Sequence, residues 1–244
     1  METELFVARI GDIADICKKT QRPKYIGFIS PEQSVLASQI LSKRNIKFAF
    51  FGGYTDAERV VLGCFPEWMA DFEFPITAIT FNYRKTDILH HRDFLGSLMA
   101  LGIKRETVGD ILIEEGRAVV FVFKEIADYI MREVEKIGRI GVSLQMGAEE
   151  PLPLKSELCE FTETVASLRL DCVVAAVGGF SRGAANEKIA DGLVSVNSVT
   201  VEKATKFVTD GDILTVRGSG KFIIDSAIDR TKKNRIILKY KKYV

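Results

Sequence analysis

The stretch from Arg169 to Asp212 constrains the fold of this chain more than any other. The apolar run Cys172–Val177 follows an aspartate and ends at two glycines, which predicts a short helix with the carboxylate of Asp171 on its first free N–H groups. Ser181 then occupies the N-cap position of a second helix. The apolar residues four apart on the buried face of that helix are Ala185 and Ile189.

Short extended segments follow these two helices. Leu193–Val196 predicts a strand that turns at Asn197–Ser198 into a second strand, and Gly211–Asp212 predicts another turn before the strand Ile213–Val216. Two short helices against a small sheet satisfy this pattern. A basic residue beside the free N–H groups of the second helix, such as Arg182, suits a phosphate.

The stretch contains, in this order, RLD, then SR, then A...I...G.V.VN and V..GD. This order of residues resembles the alpha-L RNA-binding domain, first known from small-subunit ribosomal protein S-four. The resemblance implies that the second helix and the adjoining turn lie on structured RNA. The RNA-binding positions that it implies are Arg169, Ser181, Arg182, Asn186, Lys188 and Lys203. Two of them have a structural alternative, because Arg169 is also suited to pair with Asp171 and Ser181 to cap its helix alone.

Charge is segregated along the chain. The formal net charge is +1, but residues 165–244 contain 14 Lys and Arg against 8 Asp and Glu, whereas residues 1–164 contain 20 against 25. The C-terminal part is therefore the expected site of polyanion binding.

Composition argues against several other classes of protein. No apolar run reaches the length of a membrane span, and the acidic start Met1–Glu4 is no signal peptide, so a cytoplasmic protein without membrane contact is expected. The four cysteines are scattered and lack CxxC pairs, which predicts buried reduced thiols rather than a disulfide framework or a zinc site. No metal site and no cofactor are expected.

Residues 1–74 have the alternating pattern of a small α/β unit. The predicted elements are a helix over 5–19, a strand over Tyr25–Ile29, a helix starting at Ser30–Pro31, and strands over Lys47–Phe51 and Arg59–Phe65. The run Phe50–Tyr54 has two interpretations, an aromatic platform for a base or a core strand followed by a glycine turn.

Residues 75–147 change to the order strand, helix, strand, strand, helix, strand, which is typical of ferredoxin-like and RRM-like domains. The predicted strands are Ile76–Tyr83, Asp110–Ile113, Arg117–Phe123 and Ile140–Met146, and the predicted helices are His91–Leu101 and Lys124–Ile137. In many RNA-binding domains of this order, aromatic side chains on the open sheet stack on bases. The phenylalanines of Arg117–Phe123 either do so or face the helices.

The segment from His90 to Arg105 also has two interpretations. As structure, it is a helix start with Asp93 in the first turn and a stop at Gly102. As a binding site, its cationic residues at both ends of one helix form an edge that contacts phosphates. The residues of this second candidate RNA contact are His90, His91, Arg92, Lys104 and Arg105.

The middle of the chain contains the run HRDFLGSLMALGIKR, followed by GDI. This run lies between a start containing FISPEQ and the C-terminal alpha-L domain. The combination resembles the YlmH family over nearly the whole chain. The family resemblance implies an RNA-binding protein of the translation apparatus that acts on the large ribosomal subunit in rescue of stalled nascent chains, with an association with cell division. The predicted fold class is α+β. The predicted parts are an N-terminal α/β domain at 1–74, an RRM-like middle domain at 75–147, a linker and lead-in strand at 148–164, and an alpha-L domain at 165–244.

Three functions are compatible with the sequence. The first is a non-catalytic RNA-binding factor, a monomer that docks on ribosomal RNA or tRNA and on the large ribosomal subunit. The second is an RNA-modifying enzyme similar to pseudouridine synthases, in which a segment like Arg169–Asp171 carries the catalytic aspartate. The third is a cell-division scaffold that binds protein through the acidic N-terminal part. The C-terminal place of the alpha-L domain favours the first, and no enzymatic activity is expected.

Overall fold

The computed structural model describes residues 2–154, 158–231 and 235–243. The chain divides into two compact units, Met1–Leu154 and Lys155–Val244. Both units combine helices with antiparallel sheets, so the prediction of an α+β chain is confirmed. In the described part of the chain, no helix has the length and apolar character needed to cross a bilayer.

The first unit begins with a three-stranded sheet and two helices. Its elements are α1 (Glu2–Thr20), β1 (Lys24–Ile29), α2 (Pro31–Leu41), β2 (Lys47–Phe51) and β3 (Val60–Phe65). The strand order is β1-β3-β2. As predicted, α2 starts after Ser30, whose Oγ accepts from Gln33 N at 3.3 Å while Gln33 Oε1 accepts from Ser30 N at 2.9 Å. Ile10 and Leu41 of the two helices belong to one core with Leu62 of the sheet.

The first unit continues with a four-stranded sheet and two further helices. These elements are β4 (Ile76–Asn82), α3 (His91–Ala100), β5 (Val108–Glu114), β6 (Arg117–Phe123), α4 (Lys124–Glu133), β7 (Lys136–Ile137), β8 (Ile140–Gly141) and β9 (Ser143–Met146). The strand order is β5-β6-β4-β9, and β7 and β8 form a separate hairpin. The predicted helix Lys124–Ile137 ends early, at Glu133, because Val134 is extended and Gly138, with a φ of 59°, closes the hairpin.

The two sheets of the first unit pack face to face. One set of alternate β6 side chains packs against α3 and α4. The other set, with Phe121 and Phe123, packs against Phe28 and Val61 of the first sheet. The rings of Phe28 and Phe123 meet edge to face, with their centroids 5.6 Å apart. The prediction that these phenylalanines face the helices is wrong, and so is the alternative of an open aromatic sheet for bases, because the first sheet covers this face.

Close packing between the two sheets explains the glycine turn after β2. A Cβ atom on Gly53 would lie 2.3 Å from the Phe121 ring, and the φ of Gly53 is 106°. The neighbouring Tyr54 stacks on Phe121 with centroids 4.9 Å apart. Phe50 belongs to the first core, and Phe51 is 42% exposed beside Phe74. The run Phe50–Tyr54 is thus a strand and turn held by packing.

The second unit is a six-stranded sheet with two helices on one face. Its elements are β10 (Leu158–Val165), α5 (Leu170–Gly178), α6 (Arg182–Ala190), β11 (Val194–Val196), β12 (Val199–Thr200), β13 (Ile213–Val216), β14 (Gly220–Arg230) and β15 (Ile236–Tyr243). The strand order is β10-β15-β14-β13-β11-β12. The lead-in strand, predicted within 148–164, is β10; it ends at Val165 and pairs with β15 along its whole length.

The helices of the second unit begin close to the predicted residues. The N-cap of α5 is Arg169 rather than Asp171, which lies in the first turn. Ser181 caps α6 as predicted, because its Oγ accepts from Ala184 N at 3.2 Å. The fully buried residues on the inner face of α6 are, as predicted, Ala185 and Ile189.

Three of the four cysteines are buried thiols. Cys17, Cys64 and Cys172 lie in the cores, but Cys159 is exposed. The prediction of a buried thiol is wrong for Cys159 because it lies on the edge strand β10, most of which faces solvent. Within the described residues, no group of His, Cys, Asp or Glu is arranged to hold a metal ion.

Candidate nucleic-acid interfaces

A buried carboxylate joins the starts of α5 and α6. Asp171 is 1% exposed. Arg169 donates from Nε to its Oδ1 and from Nη2 to its Oδ2, both at 3.1 Å. Arg182 donates to Oδ2 from Nε at 3.0 Å and from Nη2 at 2.7 Å. The N–H of Cys172 adds a hydrogen bond to Oδ1 at 3.0 Å. The carboxylate therefore fixes the positions of two guanidinium groups.

These two guanidinium groups keep Asp171 charged. Burial alone would raise the pKa of Asp171, but the hydrogen bonds and positive charges of Arg169 and Arg182 lower it to about 2. The side chains of Arg169 and Arg182 are themselves 34% and 57% exposed. Because a guanidinium has five N–H donors, each arginine has further donors for a ligand. The sequence suggested the pairing with Asp171 for Arg169 alone, and the structure shows it for both arginines.

The loop after β12 lies beside this cluster. Its backbone carbonyl groups accept hydrogen bonds from Leu170 N at 2.7 Å and from Asp171 N at 3.1 Å. Lys203, Lys206 and Phe207 of the loop are exposed, and Phe207 is 64% exposed. Only Lys203 stood out in the sequence. Phe207 could have been found as the single aromatic residue of a polar loop.

We call this group of side chains the C-terminal basic surface; its residues are Arg169, Arg182, Lys203, Lys206 and Phe207. The other predicted residues lie along α6. The oxygen of Ser181 is used in the helix cap, and Asn186 is exposed one turn after Arg182. The Nζ of Lys188 lies 4.9 Å from the centroid of the Phe180 ring, so its charge has an aromatic partner.

The structure separates the residues predicted at α3 into two groups. The start of the helix is as predicted, since His90 N donates to Asp93 Oδ2 at 2.8 Å. The Arg92 side chain is 85% exposed, with its Nε 3.9 Å from Asp93. His91 is also exposed, but its partial desolvation and, after it, the nearby charge of Arg105 lower the pKa of the imidazole. The chain after α3 thus brings Arg105 back towards the start of that helix.

Comparison with known proteins identifies relatives of this chain. Residues 67–150 match the model of a family described as "Putative RNA-binding domain in YlmH". The chain is 33% identical over 224 residues to Ribosome-associated protein quality control protein P2 of Bacillus subtilis (strain 168), a match that covers 90% of this chain and 87% of the relative. The fold is similar to that of Cell division protein ylmH from Streptococcus pneumoniae, with a TM-score of 0.55 and 22% identity over 61% of this chain and 92% of the other. The chain belongs to the YlmH family.

Proposed function

We propose that this protein is a non-catalytic RNA-binding factor that docks on ribosomal RNA or tRNA, on the large ribosomal subunit, during rescue of stalled nascent chains. The name of the Bacillus relative and the description of the matching family both support it. The observation that carries the proposal is the C-terminal basic surface, in which the buried Asp171 holds two arginines beside a loop with two exposed lysines.

The chemistry of this surface suits structured RNA. Arg169 and Arg182 are held in place before a ligand arrives, so they lose little conformational freedom when they contact a phosphate. Lys203 and Lys206 add positive charge, which supplies the salt-dependent part of RNA binding. The exposed ring of Phe207 is available to stack on an unpaired base.

The proposed RNA-binding residues include every position that the sequence suggested. On the second unit they are Arg169, Ser181, Arg182, Asn186, Lys188 and Lys203, with Lys206 and Phe207 added. A second contact on the first unit is proposed for His90, His91, Arg92, Lys104 and Arg105. Because one sheet covers the other in the first unit, this second contact is to phosphates at the edge of α3 rather than to bases on a sheet.

We also propose an identity for each domain of the chain. The strand order β5-β6-β4-β9 supports a ferredoxin-like, RRM-like domain at 75–147, between an α/β domain at 1–74 and a linker and lead-in strand at 148–164. The paired helices α5 and α6 on their sheet support an alpha-L domain at 165–244. In this arrangement two domains of one chain contact RNA.

The geometry of Asp171 argues against a pseudouridine-synthase-like enzyme. A catalytic aspartate must reach the substrate, whereas this carboxylate is 1% exposed and accepts hydrogen bonds from two arginines and a backbone N–H. A group with a structural task of this kind is poorly placed for nucleophilic chemistry. The non-catalytic function is therefore the better supported of the two.

The test is co-sedimentation of the full chain with separated ribosomal subunits at low and moderate salt. Arg182→Glu is unsuitable because it would place a second carboxylate against the buried Asp171. Lys203→Glu reverses an exposed charge of the C-terminal basic surface instead. Lys239→Glu is the matched control, because its neighbours Leu238 and Tyr240 are buried on the helix side of the sheet and Lys239 therefore points away from α5 and α6.

We expect salt-sensitive binding to large subunits that Lys203→Glu weakens at least tenfold and Lys239→Glu leaves nearly unchanged. Equal loss in both variants would show non-specific attraction and contradict the assigned surface. Absence of ribosome binding by the wild type would contradict the function itself. Partners retained after ribonuclease treatment would favour the protein scaffold.

A further inference from the structure

A cavity of about 630 Å³ opens in the first unit beside α1, β1 and the segment that precedes β5. Four cationic side chains from three separate segments line it, together with Glu106. The four cations are Arg9, Arg59, Lys104 and Arg105. We call this cavity the arginine cleft. Its Arg9 and Arg59 come from parts of the sequence that gave no sign of a binding site.

Backbone carbonyl groups hold two of these arginines beside each other. Arg59 donates from Nη2 to the carbonyl of Phe28 at 2.6 Å and from Nε to that of Val108 at 3.4 Å. Arg105 donates from Nη1 to the same Val108 carbonyl. A carbonyl orients a guanidinium but has no net charge with which to neutralise it. Two positive charges therefore share one neutral acceptor.

The electrostatics of this pair favour an anion. Burial, and after it the charge of Arg105, lower the pKa of Arg59 to about 10, and burial lowers the pKa of Arg105. The carboxylate that acts against both effects is Asp110. It accepts hydrogen bonds from Tyr54 Oη at 2.8 Å and from the N–H groups of Glu58 and Arg59 at 2.7 and 3.1 Å. Asp110 is thus one shared counter-charge for two guanidinium groups.

The other two cations lie at the more exposed rim of the cleft. Arg9 forms an ion pair with Glu106 at 3.2 Å, and the two side chains are 46% and 45% exposed. An exposed pair of this kind contributes little stability, so Arg9 can exchange Glu106 for a ligand at low cost. Lys104 is exposed beside it. The cleft therefore combines fixed donors inside with adaptable cations outside.

We propose that the arginine cleft binds a phosphate group, with Arg59 and Arg105 as fixed donors and Lys104 and Arg9 at the rim. Guanidinium forks match the oxygens of phosphate, and a cavity of this volume admits one nucleotide unit. The phosphate belongs either to an RNA strand or to a free nucleotide. Only the RNA source rests on the function proposed above, because phosphate binding itself does not depend on it.

The first test uses the full chain carrying Lys203→Glu, so that the C-terminal basic surface no longer dominates RNA binding. The affinity for a short labelled single-stranded RNA is measured by fluorescence anisotropy with and without Lys104→Glu. We expect Lys104→Glu to weaken binding about tenfold and to lower the salt dependence by about one phosphate contact. The matched control is Lys136→Glu on β7, an exposed lysine outside the cleft, which should change the affinity less than about twofold.

The second test begins without RNA. Inorganic phosphate, compared with chloride at the same ionic strength, should shift the NMR signals of the Nε–H groups of Arg59 and Arg105. If adenosine monophosphate displaces the short RNA and shifts the same signals, the phosphate bound in the cleft belongs to a free nucleotide. If adenosine monophosphate does neither, the bound phosphate belongs to an RNA strand.

Two results separate the cleft from the function proposed above. Unmoved Nε–H signals, with equal effects of Lys104→Glu and Lys136→Glu on RNA affinity, would overturn the cleft. Signals that move with phosphate in a protein that binds no ribosome would contradict the proposed function and support the cleft.

Discussion

In the function proposed above, the Asp171 carboxylate links stability to RNA recognition through one set of hydrogen bonds. Its interactions with Arg169 and Arg182 connect the starts of two helices, which is a structural task. The same interactions fix two half-exposed guanidinium groups in one orientation, which is the requirement for tight phosphate contact. A variant at any of the three residues therefore changes both properties, and only a measurement that separates them is informative.

Asp171→Asn should destabilise the second unit in a pH-dependent manner. The pKa of Asp171 is about 2 in the folded chain against an ordinary value of 3.8, so its contribution is present above pH 4 and is lost as the pH falls towards 2. We expect chemical denaturation to show a loss of roughly 2 kcal/mol in the free energy of unfolding at pH 7, and a loss that shrinks between pH 4 and pH 2.

Asp225→Asn is the control for this prediction. It makes the same chemical change at an exposed carboxylate whose partner Lys241 lies 3.7 Å away. Its effect should stay within about 0.5 kcal/mol at every pH. Equal pH profiles for the two variants would show that the arginines do not hold Asp171 in its charged form.

At the level of elements, local signals were readable from the sequence and long-range partners were not. The caps at Ser30 and Ser181 depend on residues within one turn, so the sequence predicted them correctly. The run Arg117–Phe123 is apolar on both faces, which indicates a strand buried on both sides, but it does not say which layer covers each face. The pairing of Arg182 with Asp171 likewise depends on how α6 packs beside α5.

Phe121→Ala should destabilise the first unit without weakening RNA binding. The ring lies between the two sheets and stacks on Tyr54, so its removal leaves a cavity. We expect a loss of about 3–5 kcal/mol in the free energy of unfolding, measured by chemical denaturation. At a temperature where the variant is folded, its affinity for large subunits should equal that of the wild type.

Phe207→Ala is the matched change of a phenylalanine that is 64% exposed. The free energy of unfolding of this variant should differ from that of the wild type by less than about 0.5 kcal/mol. Its RNA affinity should fall at least fivefold because a stacking ring is lost. A weaker RNA affinity of folded Phe121→Ala would restore the sheet face as a binding surface and contradict the packing argument.

At the scale of the whole molecule, the count of charges along the sequence indicated the C-terminal basic surface but gave no sign of the arginine cleft. Residues 165–244 have an excess of Lys and Arg, and the C-terminal basic surface lies among them. The arginine cleft lies in the unit with the acidic balance, because folding gathers its cations from positions 9, 59 and 104–105. A sum along the sequence cannot show such a local excess. The chain therefore has two basic sites, one on each compact unit.

If both sites bind one RNA, their affinities should multiply on a large RNA and not on a short one. The second contact then forms within the complex at a high effective concentration. Lys104→Glu in the otherwise unchanged chain should therefore weaken binding to the large subunit by about tenfold, the full loss at the cleft. On an RNA too short to reach both sites, which the C-terminal basic surface binds, the same change should cost less than about twofold. Sedimentation measures the loss of affinity for the large subunit, and fluorescence anisotropy at the same salt concentration measures the loss for the short RNA. An equal loss on both RNAs would mean that the sites act independently.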